Sequence, residues 1–324
     1  MRNKNRMGAW IITRNIFLVI IAALLIWIAF HHIMNRFEQK KYPAIGQLVE
    51  VDGKYMHVYT KGDGENTIVL LSGLGTAAPV LDFEPLINEL GKNNKVVVVE
   101  PFGYGWSDQT TKERSVENIV MEIRTALKKS NIEGPYILMP HSISGIYSMY
   151  YANKYPDEIK AVIGIDFTLP NALEYFNEPA PTLPEYMRYA APIGISRLGS
   201  YLIPKNILPI ADKGTYSDEN LKLTKIIAAR NGYNKNMVEE VNEIKNNIKK
   251  TNGMSFPSNM PVMIFTTKED KVTADGKSNV TFYETQLRND SSKIISLEGH
   301  HYLHWTRYKE MSNYVNAFIR NDYY

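Results

Sequence analysis

The chain has 324 residues, 44% of them hydrophobic and 22% charged, with 37 Lys and Arg against 34 Asp and Glu and no cysteine. Disulfide scaffolds and thiolate metal or redox centres are thereby excluded, and the apolar content suits a large folded domain. Residues 1–41 hold seven basic residues and one Glu, so the rest of the chain is net negative at −3, without the clustered Lys and Arg that a nucleic-acid face demands.

Residues 1–14 form a basic tail containing Arg2, Lys4, Arg6 and Arg14. The next 21 residues, 15–35, carry no formal charge and include an unbroken apolar run over 16–30. At 1.5 Å per helical residue such a segment spans about 30 Å, the thickness of a bilayer's hydrocarbon core. A cleavable signal peptide would have a shorter apolar region and small residues before its cleavage site, whereas this run ends in Phe30, His31 and His32. The expectation is an uncleaved, single-pass transmembrane anchor over 15–35, with a membrane as partner. Basic residues before the run outnumber Arg36, Lys40 and Lys41 after it by one, which favours a cytoplasmic N-terminus and an extracytoplasmic domain. A lack of cysteines agrees with an extracytoplasmic domain that manages without disulfides.

Beyond the anchor, residues 47–51 and 54–59 flank an Asp52-Gly53 pair and predict an opening hairpin. Apolar runs of strand length then alternate with helical stretches, at 68–71, 96–99, 136–139, 161–165, 261–265 and 293–297, as a largely parallel sheet requires. Ser115 is a natural cap for a helix over 115–129, and a terminal helix is expected over 307–320. The rhythm breaks between about 170 and 258, first rich in proline and aromatic residues and then helix-like over 220–250. The apolar residues at 186–195 and 198–208 within it are candidates to line a pocket.

Three regions carry chemistry. Pro140, His141, Ser142, Ile143, Ser144 and Gly145 lie between an apolar strand and a helix-like stretch, the setting of a strand-turn-helix elbow that presents a nucleophile. Ser142 is favoured over Ser144, which would put Ile146 where a small residue is needed. A serine hydroxyl is a poor nucleophile unless a histidine takes its proton and an acid orients that histidine. Asp270 follows the strand at 261–265 and is the expected acid; Glu269, Asp275 and Asp166, the last just past the strand at 161–165, are its rivals. His300, His301 and His304 crowd the loop after the final strand, so one of them is the expected base. His300 and His304, four apart, could share a helix face as metal ligands, but no cysteine or second cluster supports a metal. No cofactor is expected.

With those residues in view, the chain from 47 to 319 resembles the α/β-hydrolase superfamily, in its lid-bearing branch of esterases, lipase-like enzymes and prolyl aminopeptidases. Five landmarks carry the resemblance: a strand and glycine-bearing turn at 68–75, a strand and glycine-rich turn at 96–108, the elbow at Ser142, the acid loop at Asp270, and Gly299 through His304. Ser72 stands where the family usually has histidine, Glu100 where aspartate is common, and Pro140 and Ser144 where the elbow usually has glycine. The resemblance implies a mostly parallel eight-stranded α/β sheet with helices on both faces. It divides the chain into a core at 42–169 and 259–324 and a helical lid at 170–258. It also favours His301 as base, because a second histidine follows three residues later, with His300 as the alternative.

The order Ser142, Asp270, His301 is the one this fold uses. The activity implied is a serine hydrolase cleaving a carboxylic ester, a small-molecule or lipid-derived acyl substrate, through an acyl-enzyme. Prolyl aminopeptidase, lactonase or thioesterase chemistry would use the same triad, and a non-catalytic binding protein on the same scaffold is the alternative class. Backbone amides of Leu74 and Ile143 would form the oxyanion hole. Related dehalogenases and epoxide hydrolases carry aspartate at the elbow, where this chain has serine.

Overall fold

The computed structural model describes residues 2–268, 276–287, 289 and 291–320. The chain begins with helix α1 (Arg2–Lys41), then the hairpin β1 (Gln47–Val51) and β2 (Lys54–Lys61), and β3 (Thr67–Leu71). Short helices α2 (Pro79–Asp82) and α3 (Glu84–Leu90) lead to β4 (Lys95–Glu100), α4 (Val116–Lys129), β5 (Tyr136–Pro140), α5 (Ser144–Lys154) and β6 (Ile159–Ile165). Between β6 and the next strand lie α6 (Ala172–Phe176), α7 (Ile195–Leu202), α8 (Asp218–Asn231) and α9 (Lys235–Thr251), with 3-10 turns at Glu185–Tyr189 and Pro204–Asn206. The chain closes with β7 (Val262–Thr267), α10 (Asn279–Gln286), β8 (Lys293–Leu297), α11 (Leu303–Thr306) and α12 (Tyr308–Arg320).

The eight strands form one sheet in the order β1-β2-β4-β3-β5-β6-β7-β8. Among them β2 alone runs against its neighbours, antiparallel to both β1 and β4, while every pair from β4 to β8 is parallel. The central strands β3 to β7 read as nearly continuous apolar runs because both faces are covered. Successive side chains in β3, β4, β5 and β7 alternate between two buried clusters. Val69, Val97, Leu138 and Ile264 meet α4, α5 and α10 on one face. Ile68, Val96, Ile137 and Met263 meet α3 and α12 on the other.

Local signals account for several helix starts. Ser115 Oγ accepts from the Asn118 amide to cap α4, Ser217 caps α8 through Asn220, and Asn234 caps α9 through Asn236 and Met237. Helix α1 is longer than the expected 15–35 segment at both ends. It runs until Pro43 is near, with Lys40 and Lys41 in its last turn, where cations suit the helix dipole. Its 40 residues measure about 60 Å, so the end beyond the apolar run reaches the body of the molecule. There Tyr42 joins Trp106 beside a cluster of Ala78, Leu81, Leu223 and Ile227.

Candidate active site

Strands β5 and β6 lie side by side, and the pairing extends one residue past β5, where His141 bridges Ile165. The next residue on each chain is Ser142 on one and Asp166 on the other. Both have left-handed backbones, φ 54° and 40°, in which a non-glycine residue is strained. The Ser142 amide donates to the Ile165 carbonyl at 3.2 Å, and the Asp166 amide donates to the Phe265 carbonyl at 2.7 Å. These bonds hold two sharp turns next to each other at the C-terminal edge of the sheet, where open α/β sheets collect their functional groups.

His301, past β8, joins them. Its Nε2 lies 2.9 Å from Ser142 Oγ and its Nδ1 lies 2.7 Å from Asp166 Oδ2. The other Asp166 oxygen accepts a hydrogen bond from Thr266 Oγ1 at 3.1 Å, so the carboxylate is fixed from two sides. The His301 side chain is 44% exposed and Asp166 only 10%, which puts the imidazole between solvent and a sheltered carboxylate. A ring so held, with Nδ1–H donated to the acid and Nε2 facing the hydroxyl, is equipped to take a proton from Ser142.

Asp270, the acid expected from the sequence, lies outside the described residues, as do its rivals Glu269 and Asp275. In the structure the partner of His301 is Asp166. The physical reason is lateral order: β6 is the immediate neighbour of β5, so the turn after β6 emerges beside the elbow, while β7 is one strand further away. His300 points elsewhere, its Nδ1 accepting from the Tyr302 amide at 3.1 Å.

The residues bearing the two expected oxyanion donors follow the adjacent parallel strands β3 and β5, at the same edge of the sheet. Ile143 precedes the first turn of α5, so its amide belongs to the positive end of that helix. Among the described residues, neither the Ile143 amide nor the Leu74 amide donates to a protein acceptor. The loop carrying Leu74 is pressed onto the elbow: a Cβ at Gly73 would fall 2.7 Å from His141 Nδ1 and 3.0 Å from Ser142 Cβ, so only glycine fits. Ser144, the departure from the usual elbow glycine, has a use here. Its Oγ donates to the Ser72 carbonyl at 2.5 Å, tying the start of α5 to the loop.

Behind these groups sits His141, fully buried, with its ring 4.7 Å from His301 and 4.9 Å from His304. Burial, then the neighbouring His304 and His301, push its pKa well below the usual histidine range. The neutral ring donates from Nε2 to the His301 carbonyl at 3.1 Å and so steadies the histidine loop from below. A second pair, His304 Nε2 to Asp82 Oδ2 at 2.7 Å, braces the far end of that loop, with Trp305 Nε1 donating to Asp82 Oδ1 at 2.8 Å.

A third carboxylate, Glu240 of α9, accepts from Tyr104 at 2.7 Å and from Tyr147 at 2.8 Å. Tyr104 in turn accepts from the Gly75 amide at 3.3 Å. Burial, then Glu240, raises both phenol pKa values well above normal, keeping them neutral donors. A cavity of about 390 Å³ opens beside His301 and Asp166, lined by Leu173, Phe176, Phe282 and Tyr283 among others. Of the apolar residues expected to line a pocket, Ala191 and Pro192 border a separate cavity of about 600 Å³ beside His31 and Trp106, whereas Tyr186, Tyr189, Ile195, Leu198 and Leu202 face outward. Among the described residues no group of three His, Asp or Glu side chains is arranged to hold a metal ion.

Sheet order, elbow and histidine loop together define an α/β hydrolase. The chain belongs to the α/β-hydrolase superfamily. The family model for the α/β hydrolase fold matches residues 66–194. The uncharacterized protein YbdG of Bacillus subtilis (strain 168) is 33% identical over 322 residues, covering 94% of this chain and 94% of that protein. Serine hydrolase BPHL of Mus musculus is 29% identical over 123 residues, 36% of this chain and 40% of that protein. Among solved structures, a putative epoxide hydrolase from Pseudomonas aeruginosa superposes with a TM-score of 0.66 over 85% of this chain and 95% of that one. At 14% identity that likeness is one of fold.

Proposed function

We propose that the protein is a membrane-anchored serine hydrolase that cleaves a carboxylic ester through an acyl-enzyme on Ser142. The observation that carries this reading is the single imidazole of His301 bonded at once to Ser142 Oγ, 2.9 Å, and to Asp166, 2.7 Å. His301 Nε2 takes the hydroxyl proton as Ser142 Oγ attacks the ester carbonyl, and Asp166 stabilises the imidazolium that forms. The carbonyl oxygen, now an oxyanion, accepts hydrogen bonds from the Leu74 and Ile143 amides, each worth about 3–4 kcal/mol of barrier lowering. As the C–O bond breaks, His301 returns its proton to the departing alcohol, leaving an acyl-serine. Water, deprotonated by the same imidazole, then releases the acid and restores Ser142.

Solved structures named as epoxide hydrolases share the fold, but the elbow here carries a hydroxyl. A carboxylate nucleophile, as in that chemistry, would have to be found elsewhere. The relative named as a serine hydrolase agrees with the reading of Ser142. The segment 170–258 is read as the lid, held to the core through Glu240, and α1 as the anchor, with the catalytic domain outside the cytoplasm. The length and mean hydropathy of α1, 2.6 over its most apolar window, support the anchor.

A fluorophosphonate probe tests the chemistry directly. Labelling of the full-length protein that disappears in Ser142→Ala is expected; labelling that survives the substitution moves the nucleophile elsewhere. A panel of p-nitrophenyl esters of graded acyl length, run beside an aminoacyl p-nitroanilide, tests the substrate class. Preference for the anilide would overturn the ester assignment.

A further inference from the structure

Helix α7 is built inside out. Arg197 and Ser200, its polar residues on one side, are 1% and 5% exposed, whereas Ile195, Leu198, Tyr201 and Leu202 are 44 to 71% exposed. Positions 195, 198 and 202 fall on one helical stripe, nearly opposite 197 and 200. The covered face rests on α8, where Ser196 Oγ donates to the Gly232 carbonyl at 2.5 Å. A water-facing helix has the reverse pattern, so the outward face calls for an apolar medium.

The contacts of α7 with α1 identify that medium. Arg197 makes a bidentate pair with Glu38, 2.8 and 2.6 Å, and its remaining donors reach Asn35 at 2.7 Å and His31 at 3.1 Å. One guanidinium thus spans two turns of α1 just past the apolar run that ends at Phe30. The start of α7 is closer still: a Cβ at Gly194 would fall 2.9 Å from Trp27 Nε1 and 2.9 Å from His31 Cγ, so glycine admits the two helices to contact. Trp27 lies within the apolar run itself. The exposed stripe of α7 therefore starts beside the end of the apolar run, the level at which an anchored α1 would leave the hydrocarbon. Trp27 and Tyr201 are the aromatic types that settle at that level.

We infer that α7 is an interfacial helix, lying at the headgroup–acyl boundary of the bilayer that α1 crosses, with Ile195, Leu198, Tyr201 and Leu202 in lipid and Arg197 clamping it to α1. The inference rests on reading α1 as a membrane anchor. It goes further in fixing how the body meets the membrane: a tethered domain with a free linker could tumble, whereas this one is held by two attachments, a spanning helix and a surface helix.

The native chain has no cysteine, so single cysteines report cleanly. Full-length protein carrying Leu198→Cys, Leu202→Cys, Val19→Cys in the anchor or Glu133→Cys at the opposite end of β5 is labelled with bimane. Each is reconstituted in phosphatidylcholine vesicles with and without brominated acyl chains. The expected result is loss of fluorescence to brominated lipid at 19, 198 and 202 and none at 133. Quenching at 19 with 198 and 202 behaving like 133 would overturn the interfacial helix and leave the anchor standing. Lack of quenching at 19 would overturn the anchor and this inference with it. Labels at 198 and 202 that ignore brominated lipid but self-quench as protein density rises would assign the face to a second copy of the chain, and also overturn it.

Discussion

Two histidine–carboxylate pairs stand three residues apart in this protein, both closed at 2.7 Å, yet they are suited to different work. His301 gives Nδ1 to Asp166 and turns Nε2 toward Ser142, with 44% of its side chain exposed. His304 gives Nε2 to Asp82, is wholly buried, and leaves Nδ1 without a partner. The same two functional groups are thus placed to accept a proton in one place and to brace a loop in the other. What separates them is which ring nitrogen the carboxylate takes and whether the remaining one meets a hydroxyl. His141 lies between the two rings.

The comparison is broken most severely at Ser142, the proposed nucleophile. Ser142→Ala should lower kcat by about 10⁴-fold or more while leaving thermal stability near that of the parent, since it removes one oxygen. Asp166→Asn should cost on the order of 10⁴-fold in kcat, by favouring the wrong imidazole tautomer, with the fold retained. Asp270→Asn, measured beside it, should be close to neutral; the reverse ranking would return the acid to the loop after β7. Gly73→Ala forces a Cβ against His141 and Ser142 and should reduce kcat by about 10²-fold with little change in KM, the effect of displacing reacting groups by a fraction of an ångström.

The brace should answer in stability instead. Asp82→Asn weakens the bonds from His304 and Trp305, and a loss of about 1.5–3 kcal/mol in denaturant unfolding is expected, with kcat within a few-fold of the parent. A collapse of kcat in well-folded Asp82→Asn would erase the distinction between the pairs. The smallest effect is the pH response of His141. Because its folded pKa is depressed, the unfolded chain binds the extra proton as pH falls below about 6.5. Its contribution is therefore intact above that value and is lost on acidification, by at most about 1.4 kcal/mol per pH unit. His141→Asn should flatten that part of a stability-versus-pH curve.

Much of the fold is legible from residue order because the runs of β3 to β7 record burial on both faces and the starts of α4, α8, α9 and α10 carry capping side chains. The Asp52-Gly53 hairpin and the helix capped by Ser115 occur where the local chemistry asks for them. The elbow and His301 are legible for a related reason: both are short-range patterns at the ends of strands. The acid is harder. Asp166 and Asp270 both follow apolar strands, and only the lateral order of β5, β6 and β7, a long-range property, brings the turn after β6 beside the elbow. The apolar residues of α7 mislead in another way, since a sequence records that a side chain avoids water but not whether protein or another apolar medium receives it. Helix α1 outruns its apolar run because a helix continues through charged residues until something stops it, here the approach of Pro43.

The bond from Ser144 to the Ser72 carbonyl has a consequence for how the hydrolase would meet a substrate. It fastens the loop bearing Leu74 to the helix headed by Ile143 through protein atoms alone. The spacing of the two amides is accordingly set during folding, before any substrate arrives. Binding energy from the rest of a substrate is left free to hold its reacting group in line with Ser142.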